Sequence, residues 1–326
     1  MPTNAIEADG LVKHYPGDVT ALDGLSFVVE EGTVFGLLGP NGAGKSTAVR
    51  IATTLARADS GSARVAGHDV ATEAAQVRRL IGVVAQRGGA DREATARENL
   101  RLSGRLHGIP WRELDTRIDE LLERFGLSDA ADRIVRTFSG GMERRLDVAL
   151  ALVPRPRVLF LDEPTTGLDP EVRADMWHEI ERLGRDEGIT VLLTTHYLEE
   201  ADRLAAQLAI VDRGKVVATG SPDELKRELR GDAVHVELEN ELNGARAGLD
   251  GLAGLREVTV DGRTLRARAD DGARAVPAVL AVLAALDSNG VAVASVTVAR
   301  PSLDDVYLRY AGRTFGEADK ETEVIA

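Results

Sequence analysis

Eight consecutive residues, Gly39, Pro40, Asn41, Gly42, Ala43, Gly44, Lys45 and Ser46, fit the pattern GxxxxGK[ST], with Thr47 opening a helical run behind them. The chemistry of that pattern is the holding of phosphate. Its glycines let backbone N–H groups converge on anionic oxygens at a helix N-terminus, where the helix dipole also favours negative charge. Lys45 then reaches the β- and γ-phosphates, and the Ser46 hydroxyl ligates Mg2+. Further along, the apolar run Val158 to Leu161 ends in two adjacent carboxylates, Asp162 and Glu163. Taken alone, two adjacent acids at a strand end suit a solvated sheet edge. Ser139, Gly140 and Gly141, ahead of the helical run Glu143 to Leu152, have the make-up of a second anion site. The same triplet serves as an ordinary N-cap followed by flexible glycines. A phosphate loop alone leaves kinase, GTPase and motor ATPase open.

Strands and helices must carry these groups. Over roughly the first 220 residues, β-rich runs alternate with helical patterns, the signature of an α/β fold with a mainly parallel sheet covered by helices. Val34 to Leu38, Val158 to Leu161 and Thr190 to Thr194 read as short buried strands, and Thr47 to Leu55 as the helix after the phosphate loop. Leu114, Ile118, Leu121, Leu122 and Phe125 share one helical face. They place a helical insertion, about 87–156, inside the α/β core. After Gly220-Ser221-Pro222 the pattern changes. Val234, Val236 and Leu238 alternate, and Asp261-Gly262 is a hairpin signal between two strand patterns. Ala273 to Leu286 reads as a helix and Val291 to Val298 as a strand. Leu303, Val306, Tyr307 and Tyr310 share a last helical face, with Ser302 as N-cap. The expected organisation is a first domain over 1–226, a small α+β domain over 227–312 and a flexible tail over 313–326.

Composition narrows the function classes. With 53 acidic against 40 basic side chains the net charge is -13, which repels nucleic-acid backbones and anionic lipid at long range. No nucleic-acid partner is therefore expected. The chain has no cysteine, which removes disulfides, thiolate metal sites and a cysteine nucleophile and suits a reducing cytoplasm. MPTNAIEADG lacks a basic region followed by an apolar one and does not read as a signal peptide. The longest apolar stretch, Ala275 to Leu286, contains Pro277 and is too short for a bilayer, which needs about 20 residues.

Read in order, these motifs resemble the ATP-binding cassette family across the first two thirds of the chain. Thr137-Phe138-Ser139-Gly140-Gly141-Met142 is similar to that family's signature loop. The resemblance implies that this loop caps the γ-phosphate held by a partner protomer, so that ATP joins a dimer. Val158 to Glu163 matches the Walker B motif, which implies that Asp162 holds Mg2+ through its water shell and that Glu163 is the general base. Pro164 to Asp169 follows at the family's spacing and makes Asp169 the D-loop carboxylate that faces the partner. His196 stands where the family's switch histidine touches the γ-phosphate. Gln86, after Ile81 to Ala85, corresponds to the Q-loop glutamine that reaches Mg2+ and water and links the site to a membrane partner. Tyr15 in LVKHYPG corresponds to the aromatic residue that stacks on adenine, a contact worth roughly 1–3 kcal/mol.

Phe138 and Met142 depart from the commonest signature, which has Leu and Gln there, and a Met side chain makes no amide hydrogen bond. The FSGGM form, the following RRLDVALAL and the segment Ala299 to Gly312 resemble the daunorubicin-resistance subfamily of drug exporters. That resemblance implies a P-loop NTPase cassette with a RecA-like core, ATP and Mg2+ as ligands, and a homodimer or a heterodimer with a second cassette. It further implies a separate transmembrane permease, a cytoplasmic place on the inner membrane face, and a hydrophobic drug or lipid-like cargo. The competing expectation is a cassette ATPase acting on ribosomes or DNA without transport.

Overall fold

Phe160 and Leu192 turn to one side of a sheet and Leu159, Leu161 and Leu193 to the other, and all five are buried. Such runs carry no polar alternation because helices or a second sheet cover both faces. The computed structural model of the chain describes residues 4–86, 88–229, 231–239, 255–270, 275–277, 279–281 and 293–319. Its residues fall into two units, Met1–Pro222 with Phe315–Ala326, and Asp223–Thr314.

In the first unit, β1 (Asn4–Tyr15) and β2 (Val19–Glu30) form a hairpin, and β3 (Val34–Leu38) runs into the phosphate loop and α1 (Lys45–Ala52). Next come β4 (Ser60–Val65), β5 (His68–Asp69), α2 (Ala74–Leu80) and β6 (Ile81–Val84). The insertion supplies α3 (Ala96–Leu106), α4 (Trp111–Arg124) and α5 (Gly140–Leu152). The chain then makes β7 (Val158–Asp162), α6 (Pro170–Arg185), β8 (Thr190–Thr195), α7 (Leu198–Leu204), β9 (Gln207–Asp212) and β10 (Lys215–Gly220).

One sheet has the order β10-β9-β3-β8-β7-β6. Its strands are parallel except β10, which runs against β9. A second sheet, β2-β1-β4-β5, is antiparallel and was not expected from the sequence. Its Ile6, Leu11, Leu22 and Leu25 pack with α1 against one face of the main sheet, and the insertion helices cover the other face. Four neighbouring parallel strands, β3, β8, β7 and β6, thus end along one edge, where ligands of open α/β sheets bind. Gln86, Glu163, His196 and the phosphate loop all follow those ends.

The second unit is built on β11 (Asp232–Leu238), β12 (Leu255–Asp261), β13 (Thr264–Ala269) and β14 (Val293–Ala299), in the order β12-β13-β11-β14. Asp261 pairs with Thr264 across the expected hairpin, and Gly262 supplies its positive φ of 53°. A helix, Leu303–Ala311, starts at Ser302 with a capping box to Asp305. Leu303, Val306 and Tyr307 are buried as expected, whereas Tyr310 is 41% exposed and its hydroxyl donates to Glu228 at 2.8 Å.

Three boundaries change. The helix after the phosphate loop begins at Lys45 and ends at Ala52, not at Thr47 and Leu55. The division between units falls after Pro222 and not after 226. Residues 315–319 are helical and belong with the first unit, with Phe315 and Ala318 buried, so apolar anchoring overrides the expected tail there. The rest of that tail, 320–326, lies outside the described residues, as does most of the expected helix Ala273 to Leu286.

Candidate active site

The phosphate loop is shaped by close backbone approach. A Cβ on Gly44, whose φ is 110°, would stand 2.4 Å from Ala21 O, and one on Gly39 would stand 2.4 Å from Val211 O. Glycine is required at both places because β2 and β9 leave no room for a side chain. Lys45 is 4% exposed, and its Nζ donates to Gly39 O at 2.7 Å and to Pro40 O at 3.0 Å. Burial lowers its pKa, against the pull of the nearby Glu163 and Asp162 carboxylates. Asn41 N–H donates to Asp319 Oδ1 at 3.0 Å, so an anionic oxygen already stands on this loop. That contact fits a loop made for phosphate. Ala43 and Gly42 complete the turn ahead of α1, which starts at Lys45 with Ser46 and Thr47 in its first turn.

Ser46 Oγ donates to Asp162 Oδ1 at 3.0 Å, and Thr194 Oγ1 donates to the same oxygen at 2.6 Å. A hydroxyl and a carboxylate converge here as hard oxygen donors. Such a sparse set suits Mg2+, which keeps several waters and takes phosphate oxygens for the rest of its shell. Among the described residues there is no cluster of three or more His, Cys, Asp or Glu that would cage a cation alone.

Glu163 gathers the remaining groups. Its Oε1 lies 3.6 Å from Lys45 Nζ and 3.3 Å from His196 Nδ1, and the imidazole is not aligned for a hydrogen bond. Its Oε2 accepts from Gln86 Nε2 at 3.3 Å and from Thr166 Oγ1 at 3.4 Å. Burial pushes the carboxyl pKa up, but the His196 imidazole and the Lys45 charge outweigh burial and hold it below the usual carboxylate value. The Glu163 backbone is left-handed, with φ 49°, a conformation that costs a non-glycine residue about 1–3 kcal/mol. Its N–H donates to Thr194 O and to Thr194 Oγ1.

Ser139 and Asp169 stand apart from that cluster. Ser139 caps α5, accepting from Met142 N–H at 3.3 Å, and Asp169 caps α6, accepting from Val172 N–H at 2.9 Å. A Cβ on Gly141 would lie 2.9 Å from Val172, so the two helix starts touch and Gly141 allows it, while a Cβ on Gly140 would meet nothing. Met142 packs partly buried against the apolar core of the insertion, which gives a methionine a reason to be there. Tyr15 ends β1, with Lys13 Nζ 5.7 Å from its ring centroid. Ala21 of the same hairpin abuts Gly44 of the phosphate loop.

Thr194 and Asp319 are site residues that the sequence did not single out. Thr194 was legible only as a strand residue; a hydroxyl beside the run's end was the one available hint. Asp319 carries no local signal, since 278 positions separate it from Asn41.

A phosphate loop, a paired carboxylate and a histidine along one parallel-strand edge define a P-loop nucleotide hydrolase. The family model described as ABC transporter matches residues 22–166, and that described as ATP-binding protein DrrA1-3-like, C-terminal domain, matches 220–311. Daunorubicin resistance ATP-binding protein DrrA3 of Streptomyces coeruleorubidus is 49% identical over 96% of this chain and 97% of its own length. Daunorubicin/doxorubicin resistance ATP-binding protein DrrA of Streptomyces peucetius is 46% identical over 99% of both. A solved ATP binding subunit of an ABC transporter, 28% identical, superposes with a TM-score of 0.63 over 69% of this chain and 92% of that one. The chain belongs to the ABC transporter ATP-binding proteins, in their daunorubicin-resistance (DrrA-like) group, and is an ATPase.

Proposed function

We propose that two cassettes close on ATP and Mg2+, that hydrolysis reopens them, and that this cycle drives efflux of a hydrophobic drug through a separate membrane subunit. The observation that carries the dimer is the separation within one chain. Lys45, Ser46, Asp162, Gln86, Glu163 and His196 assemble without the Ser139 to Gly141 helix start, which is left to face phosphate elsewhere. Mg2+, if bound, would be held by the Ser46 hydroxyl and the Asp162 carboxylate and would supply neutralisation of phosphate charge. Lys45 and the loop N–H groups hold the phosphates. Glu163, kept ionised by its neighbours, accepts the proton of the attacking water. His196 and Gln86 flank that carboxylate on its two oxygens, and the Gln86 hydrogen bond sets its direction.

A membrane subunit is supported by an apolar cavity of about 470 Å³ lined by Leu55, Val83, Leu102, Ser103, Leu106 and Leu150. Leu102 is 56% and Leu106 77% exposed, a surface that an amphipathic helix of a permease would cover. The cavity also touches Ala85, next to Gln86, so a partner seated there reaches the site directly. Among the described residues no helix is long and apolar enough to cross a membrane. Binding to a permease places the chain on the inner membrane face, and resemblance to the two daunorubicin-resistance proteins makes a hydrophobic drug the cargo to try. Inside-out vesicles carrying this chain and its cognate permease are expected to accumulate daunorubicin with ATP, and to fail with Glu163→Gln. Accumulation that is the same with and without the chain contradicts the proposal.

A further inference from the structure

Arg144, in the first turns of α5, is 8% exposed and has backbone oxygen on every side. Its Nε donates to Pro164 O at 2.8 Å, its Nη1 to Ala85 O at 2.7 Å, and its Nη2 to Asp162 O and Glu163 O at 3.1 and 3.0 Å. A buried cation held by carbonyls is costly to place, and its removal takes a charged donor from four carbonyls, of which Glu163 O also accepts from Thr166 N–H at 3.4 Å. Asp147 and the nearby Asp162, Glu200 and Glu163 carboxylates offset its charge from a distance. The planar guanidinium suits this setting because its donors diverge at fixed angles toward separate carbonyls, which a lysine ammonium cannot match.

The bound carbonyls lie in three strategic places. Asp162 O and Glu163 O belong to the peptides on either side of the Glu163 Cα, the residue with the left-handed φ of 49°. Ala85 O precedes Gln86, which donates to the Glu163 carboxylate. Pro164 O leads to Thr165, whose hydroxyl donates to the buried Glu200 on α7, so the far side of the turn is anchored as well. Arg144 itself rides on the helix that Ser139 caps.

We propose that Arg144 is a positioning residue for ATP hydrolysis: it holds Glu163 in its strained conformation, registers Gln86 against it, and ties both to the Ser139 to Gly141 helix start. The inference rests on the reading of Glu163 as the base. Contact of that helix start with a partner's nucleotide then bears on the base of the chain's own site, which couples the two sites of a dimer.

Two variants test this, Arg144→Met and Arg144→Lys, with Arg145→Met as a neighbouring control whose guanidinium pairs with the exposed Asp175. Steady-state kcat and KM, the Hill coefficient for ATP, equilibrium binding of a fluorescent ATP analogue, and the melting temperature are measured on the full chain. Arg144→Met is expected to lower kcat about 100-fold and Arg144→Lys about 10-fold, the scale on which a small misplacement of a reacting group acts. The analogue should bind within two-fold of the parent, and the Hill coefficient should fall toward one. A kcat within two-fold for both variants overturns the proposal. So does a joint loss of analogue binding and kcat, which a merely structural role produces. Should Arg144→Met not fold, Arg144→Lys decides alone. Glu163→Gln measured alongside separates the two readings: if it keeps turnover, the base assignment fails; if it loses turnover and the Arg144 variants do not, the positioning role fails.

Discussion

Thr194 is the side chain on which the two carboxylates of the candidate site depend together. It donates to Asp162 Oδ1 and accepts from Glu163 N–H, so one hydroxyl positions both the proposed cation ligand and the proposed base. Thr194→Val keeps the shape and removes both contacts. It is expected to lower kcat about 10-fold and to raise the Mg2+ concentration needed for half-maximal turnover, read from ATPase rates across a Mg2+ titration. The lowered pKa of Glu163 has a consequence for acid stability. A carboxylate whose folded pKa is depressed stabilises the fold above its unfolded value, and the contribution disappears as pH falls through the folded value. Melting temperatures from about pH 3 to 6 should therefore fall less steeply in Glu163→Gln than in the parent. An unchanged slope would show that the ion pair with Lys45 and the imidazole contact contribute no net stabilisation.

At the scale of elements, α5 joins capping to catalysis. Ser139→Ala removes the cap, expected to cost about 1 kcal/mol and a few degrees of melting temperature. Ser139→Thr should restore the cap and, with it, ATP-dependent association, measured by light scattering; restored stability without association would separate the two roles. The strands of the main sheet were legible because Val34 to Leu38 and Val158 to Leu161 are apolar on both faces. The antiparallel sheet was not, because β1 and β2 pair with several register shifts and Gly10 adopts a positive φ of 58°, which breaks the alternation that marks a half-buried strand. The site motifs were legible as spacing, whereas the Gln86 to Glu163 contact spans 77 positions and the Arg144 fork joins two distant segments, Ala85 after β6 and Asp162 to Pro164 at the end of β7. Such pairings arise only when the sheet orders its strands as β8-β7-β6.

Across the whole molecule, the chain returns to its own beginning. Asp319, held beside the buried Phe315 and Ala318, places a carboxylate on the Asn41 N–H, within the loop proposed to hold phosphate. It also adds negative charge near a loop that must attract an anion. Asp319→Ala is expected to tighten ATP binding about five-fold, the equivalent of about 1 kcal/mol, with the gain shrinking at high salt. Titration calorimetry reads this, and equal affinities in the two proteins would mean that water replaces the carboxylate at no gain. The central claim, that two chains share each nucleotide, is tested most directly by sedimentation of the Glu163→Gln chain with ATP. A dimer that forms with ATP and Mg2+, dissolves with ADP, and is lost when Ser139 is also replaced is the predicted result; a chain that binds ATP and stays monomeric would contradict it.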